Sequence, residues 1–181
     1  MINMSEDQKK KLSKVLSNAT GVTAFAVSFY VGAEILWLPL LSMTVVWFCC
    51  SRLVKNEQRS FFVPAFSILT GYLVWLADAM IITEILELMI DVTLILISVT
   101  WIMARPGLKP VIYSSAVLIL HIIINITVIS DAKVNSLAFK ALLAHIGIKV
   151  FALAFLWQGY SRLCSFNRQT ETDADKTIPH E

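Results

Sequence analysis

Four residues carry the chemistry this sequence can offer, and all four stand inside long apolar runs. His121 and Asn125 are four residues apart, so on a helix they share a face. His145 and Lys149 have the same spacing further on. Ionisable groups inside an apolar span are costly to keep there and default to functional candidates. An imidazole can take up and release a proton near neutral pH, and an amine beside it can share or oppose that proton. If the two segments form an antiparallel hairpin, residues numbered symmetrically about its turn lie at equal depth. His121 and Lys149 are symmetric about Asn135, and so are Asn125 and His145. A four-residue polar cluster is therefore expected, with His121 and Lys149 near mid-depth. Two adjacent positive charges there would be prohibitive, so His121 is expected neutral, accepting a hydrogen bond from Lys149. Asp78 and Glu34 are the candidate counter-charges, both near the outer ends of their helices. The plainer use of the cluster is to join helices by hydrogen bonds; the sharper one is transport or proton relay.

Other chemistry is missing from the sequence. No Ser-His-Asp order, zinc motif, phosphate-cradling glycine loop or haem-type spacing occurs, so no catalytic residue, metal site or cofactor is expected. Cys49, Cys50 and Cys164 lack metal-site spacing and read as free thiols. Glu84, Glu87 and Asp91 fall at helical spacing and read as a solvated helix start, with divalent-cation binding as the alternative. A net charge of +2 without a basic stripe argues against a nucleic-acid partner.

The elements that must hold the cluster follow from hydropathy and charge. Of 181 residues, 57% are hydrophobic and 15% charged; mean hydropathy is +0.71. A soluble domain of this size cannot hide that much apolar surface, whereas a bilayer can solvate it. Crossing the hydrocarbon layer takes about 20 residues. Apolar runs at 61–82, 85–104, 108–129 and 137–163 each supply one crossing. The stretch 19–50 is too long for one helix, and charge decides its count. Folded as a hairpin near Gly32 and Pro39, it gives spans at about 14–33 and 35–53, with Pro39 in the first turn of the second. Lys9, Lys10, Lys11, Lys14, Arg52, Lys55, Arg59, Arg105, Lys109, Arg162, Arg168 and Lys176 then collect on one side. Lys133 and Lys140 share the other with Glu34, Glu84, Glu87, Asp91 and Asp131. Positive charge stays on the cytoplasmic side. The expected fold is all-α: a polytopic membrane protein of six transmembrane helices in three consecutive hairpins, both termini cytoplasmic. The helical domain covers residues 1–165, and 166–181 reads as a disordered polar tail.

Thr20, Ala24, Ser28 and Gly32 form a helix-packing strip of small residues on the first span, and Ser67 and Gly71 a shorter one on the third. Packing within the chain is the favoured use of the first strip; a homo-oligomer seam is the alternative. Trp37, Trp47, Trp75, Trp101 and Trp157 lie mostly near span ends, as interface anchors do.

Trp101-Ile102-Met103-Ala104-Arg105-Pro106 closes one span with a Trp-x-Met-x-basic-Pro pattern. Asn125 follows about twenty residues later, and Phe139-Lys140 opens the last span. This order resembles the bacterial intracellular septation protein A (YciB-like) inner-membrane family, over roughly residues 90–163. Asn135-Ser136-Leu137-Ala138 stands where that family usually has a tryptophan. The resemblance implies a non-enzymatic protein of the bacterial inner membrane with five or six helices and short loops. It would act in envelope integrity or cell division through contacts with other membrane proteins. The polar cluster supports the alternative, a small proton-coupled transporter.

Overall fold

The computed structural model describes residues 33–83, 88–131, 133–134 and 136–176, and every regular element among them is helical. The elements are α1 (Ala33–Leu53), α2 (Glu57–Ser60), α3 (Val63–Thr83), α4 (Leu88–Ala104), α5 (Leu108–Asp131) and α6 (Leu137–Lys176). Five coincide with the second to sixth expected spans. The first expected span, and with it Thr20, Ala24, Ser28 and Gly32, lies outside the described residues, as do Glu84 and Glu87.

Local chemistry sets the boundaries. Asn56 caps α2, its side-chain oxygen accepting from the Arg59 amide at 3.1 Å. Arg105-Pro106-Gly107 breaks the chain between α4 and α5, because the proline cannot continue the helix and the residue before it avoids helical geometry. Pro110, in the first turn of α5, lacks an amide hydrogen where none is needed. Ser136 caps α6, its hydroxyl accepting from the Phe139 amide at 3.1 Å.

Two boundaries differ from expectation. Pro39 lies well inside α1 rather than in its first turn, because residues 33–36 are already helical. Residues 166–176, expected as a disordered tail, continue α6 without a break. Extending a formed helix costs far less than nucleating one. Gln169, Glu171, Ala174 and Lys176 are good helix formers, and Thr170 and Thr172 return their hydroxyls to the carbonyls of Phe166 and Arg168. The helix is 40 residues long, hence roughly 60 Å.

Helices α3 to α6 close a ring: α3 packs on α4 and α6, and α5 packs on α4 and α6. Phe62, Leu69, Tyr72, Ile95, Ile102, Leu118, Ala152 and Leu156 fill it. α1 approaches α3 at Gly71, where an added Cβ would meet Met43 and come within 2.9 Å of the Pro39 carbonyl. That is the close approach the short Ser67 and Gly71 strip predicts. α6 approaches the start of α3 at Gly159, where a Cβ would come within 2.7 Å of the Phe61 carbonyl. At this end of the ring Phe61 meets Phe166 edge-on, Gln58 donates to Asn167, and Arg59 donates to the Ala104 carbonyl at 3.4 Å. The arginine cation there complements the carbonyl-rich C-terminus of α4.

The exterior is more apolar than that of a soluble bundle, and several polar groups are buried within the apolar core. α5 turns Ile112, Ile119, Leu120, Ile123, Ile124, Ile126 and Val128 outward. Ser67, Ser98, Ser114, Ser115, His121 and Lys149 are buried inside. Among the described residues, two helices are long and apolar enough to cross a membrane: 108–130, with mean hydropathy 2.2, and 137–172, with mean hydropathy 1.8. Stretches Leu38–Leu53, Val63–Ala79 and Leu88–Ala104 are apolar but shorter.

Candidate functional site

The ring brings one polar or aromatic group from each of its four helices to a common centre. Lys149 on α6 and His121 on α5 meet there, at 1% and 3% exposure. The contact differs from the expected one: the Lys149 ammonium donates to the backbone carbonyl of His121, at 3.3 Å, and not to its imidazole. A helical carbonyl has a second lone pair to offer, so the intrahelical bond need not be given up. The ammonium also lies 5.2 Å from the centre of the Tyr72 ring on α3, whose face attracts a cation.

The imidazole of His121 turns the other way, to α4. Its Nε2 lies 3.2 Å from a carboxylate oxygen of Asp91. With Nε2–H donating to Asp91, the lone pair of a neutral ring sits on Nδ1. That nitrogen is buried and has no protein partner. Asp91 is 37% exposed, so it links a buried ring to the outer edge of the bundle. Asp91 also acts electrostatically on both His121 and Lys149. A carboxylate, a neutral ring and an ammonium thus form a line whose formal charges cancel, which is what a low-dielectric interior demands.

His145 does not pair with Asn125 as expected. It lies against the Trp75 ring, centroids 3.9 Å apart, and meets the edge of Tyr72 at 5.5 Å. The aromatic surface of α3 competes better for its flat ring than an amide does. Trp75 is accordingly buried at 6% exposure and is not an interface anchor, whereas Trp47, Trp101 and Trp157 remain on the outside. Asn125 keeps a buried Nδ2 with no protein partner. Of the two expected counter-charges, Asp78 is half-buried on α3 and, among the described residues, forms no ion pair with the cluster. The side chain of Glu34 lies outside the described residues.

The counter-charge is Asp91, which sequence reasoning placed in a solvated acidic turn. The signal that identifies it was available: Asp91 and His121 are numbered symmetrically about Pro106, the middle of the α4–α5 turn. The counting that pairs His121 with Lys149 about Asn135 therefore pairs Asp91 with His121 one hairpin earlier. Among the described residues, no group of His, Cys, Asp and Glu could hold a metal ion. Cys49, Cys50 and Cys164 are free thiols.

Comparison with known proteins finds no matching family model, no matching curated sequence and no matching solved structure.

Proposed function

We propose that this chain is an integral membrane protein whose α3–α6 ring spans the bilayer and whose Asp91–His121–Lys149 line exchanges protons, as in a small proton-coupled carrier. One observation carries the reading: a buried ammonium and a buried imidazole in contact, the imidazole also meeting a half-exposed carboxylate, inside a bundle whose exterior is apolar. Lipid covers an apolar exterior at no cost, while charges at this depth persist only where they are paired. The basic loops at the Arg59 and Arg105 end face the cytoplasm in this reading, as the charge bias requires.

The proposed steps run along these contacts. A proton arriving at the buried lone pair of Nδ1 makes the ring a cation between Asp91 and Lys149. The proton on Nε2 can then pass to the Asp91 carboxylate it already contacts, and from there to water at the exposed edge. Both ring nitrogens are used, and the imidazole, left neutral in the opposite tautomer, turns over to restore the starting state before the next proton. Lys149 keeps the line neutral between turnovers and disfavours a lasting second cation beside it.

In proteoliposomes with an imposed pH gradient, the wild-type chain is expected to carry protons. His121→Gln and Lys149→Met should abolish the flux while the purified variants remain monodisperse. Unchanged flux in a folded His121→Gln variant removes the relay.

A second reading is favoured by α1, which presents Leu41, Val45, Trp47 and Phe48 outward. Such a face suits helix contacts with other membrane proteins, the non-catalytic inner-membrane role in envelope integrity or division that the septation protein A resemblance implies. It predicts no flux from any variant and a partner lost on polar substitution of α1.

A further inference from the structure

We infer that the inner face of α5 binds a file of water running from Ser114 to Asn125, with Leu118 between its two halves. Ser114, Leu118, His121 and Asn125 follow one another at steps of four, three and four residues, so they form one stripe along the helix. Ser115 borders it.

The stripe is unusual in what its polar atoms lack. Elsewhere in this ring, hydroxyls satisfy themselves on the preceding turn: Ser67 donates to the Val63 carbonyl at 2.8 Å, Thr70 to Phe66 at 2.8 Å and Ser98 to Leu94 at 3.0 Å. Ser114 and Ser115 are as buried, at 0% and 6% exposure, yet neither hydroxyl has a protein partner. His121 Nδ1 and Asn125 Nδ2 complete the set, and these four are the only buried side-chain polar atoms without a partner among the described residues. All four fall within about three turns of one helix. A hydroxyl or amide buried unpaired costs about 1–3 kcal/mol, and buried water is the usual remedy.

The donors and acceptors match water in detail. Asn125 Nδ2 can only donate, and Nδ1 of the Asp91-bonded tautomer can only accept. Side chains one turn apart on a helix leave roughly the gap a single water bridges. A water accepting from Asn125 and donating to His121 satisfies both. The serine hydroxyls can each donate and accept, so a second water on Ser114 or Ser115 is held either way round. A metal cation is the poorer occupant, because the Lys149 ammonium lies against the same turn of α5. Leu118, at 1% exposure, separates the two halves and would have to swing aside for the file to join. Resting on the relay reading, the file would deliver the proton to Nδ1 from the Ser114 end and leave the Asp91 side for release.

Hydroxyl radicals generated from bound water by an X-ray pulse oxidise the side chains beside that water, which tests the file without measuring flux. Leu118, Leu69 and Leu156 are the same residue type at 1%, 0% and 0% exposure. In the intact protein Leu118 is expected to be oxidised severalfold faster than Leu69 and Leu156. In the Ser114→Ala, Ser115→Ala double variant it should slow toward their rate, keeping only what the His121–Asn125 water contributes. Oxidation of Leu118 no faster than Leu69 in the wild-type protein overturns the water file, whatever the flux. Rapid Leu118 oxidation with unchanged flux in His121→Gln keeps the file and removes the relay, so the two ideas fail separately.

Discussion

The asymmetry of the polar line decides how its residues respond to change. Lys149 is 1% exposed and cannot reach bulk water, whereas Asp91 is 37% exposed and can. Removing one partner of a buried pair is costly mainly because of the charge left behind. Asp91→Asn removes the carboxylate that offsets the buried ammonium; because Asp91 is 37% exposed and touches His121 rather than Lys149, the expected destabilisation is about 1–2 kcal/mol. Lys149→Met leaves a carboxylate that water can still solvate and should cost clearly less. The double variant should recover most of the Asp91→Asn loss. Unfolding titrations in mixed micelles check the order; an Asp91→Asn variant as stable as wild type would show that the carboxylate does not compensate Lys149.

Helix contacts depend on where a side chain has no room. At Gly71 and Gly159 the obstacle is partly backbone, the carbonyls of Pro39 and Phe61, which cannot rotate away. Gly71→Ala and Gly159→Ala should each cost about 1–3 kcal/mol through overpacking. Gly147 is the control: it is helical, and an added Cβ meets nothing within 4 Å. Gly147→Ala should stabilise by up to about 1 kcal/mol, because alanine is the better helix former. Thermal unfolding of the three variants in detergent gives the comparison. A destabilised Gly147→Ala variant, or a neutral Gly159→Ala one, would mean that α6 does not sit on α3 as described.

At the scale of the whole bundle, a lipid solvent and paired crossings would put the loops after Leu53 and Ala104 on one side. Reporter fusions after Leu53 and after Ala104 should both report cytoplasm. An external signal at Leu53 would break the hairpin expected before it. A lipid-soluble photoprobe should label Ile119, Ile123 and Ile126, which face outward, and spare Leu118 and Leu156, which do not. Equal labelling of Leu118 and Ile119 would contradict the ring.

Much of this was legible in the residues alone. The positions of α1 and of α3 to α6 follow from apolar run length and from prolines and glycines, because hydropathy and backbone restrictions are local properties. That His121 and Lys149 meet follows from counting along a hairpin, since the rise of 1.5 Å per residue is the same on both helices. Which atom Lys149 would bond, that His145 would prefer the face of Trp75, and that Asp91 rather than Asp78 or Glu34 would answer the charge were decided by the ring of four helices. Those choices depend on how each helix is rotated about its axis. That rotation is fixed by packing between segments distant in sequence, at contacts such as Gly159 against Phe61, and periodicity within one segment does not encode it.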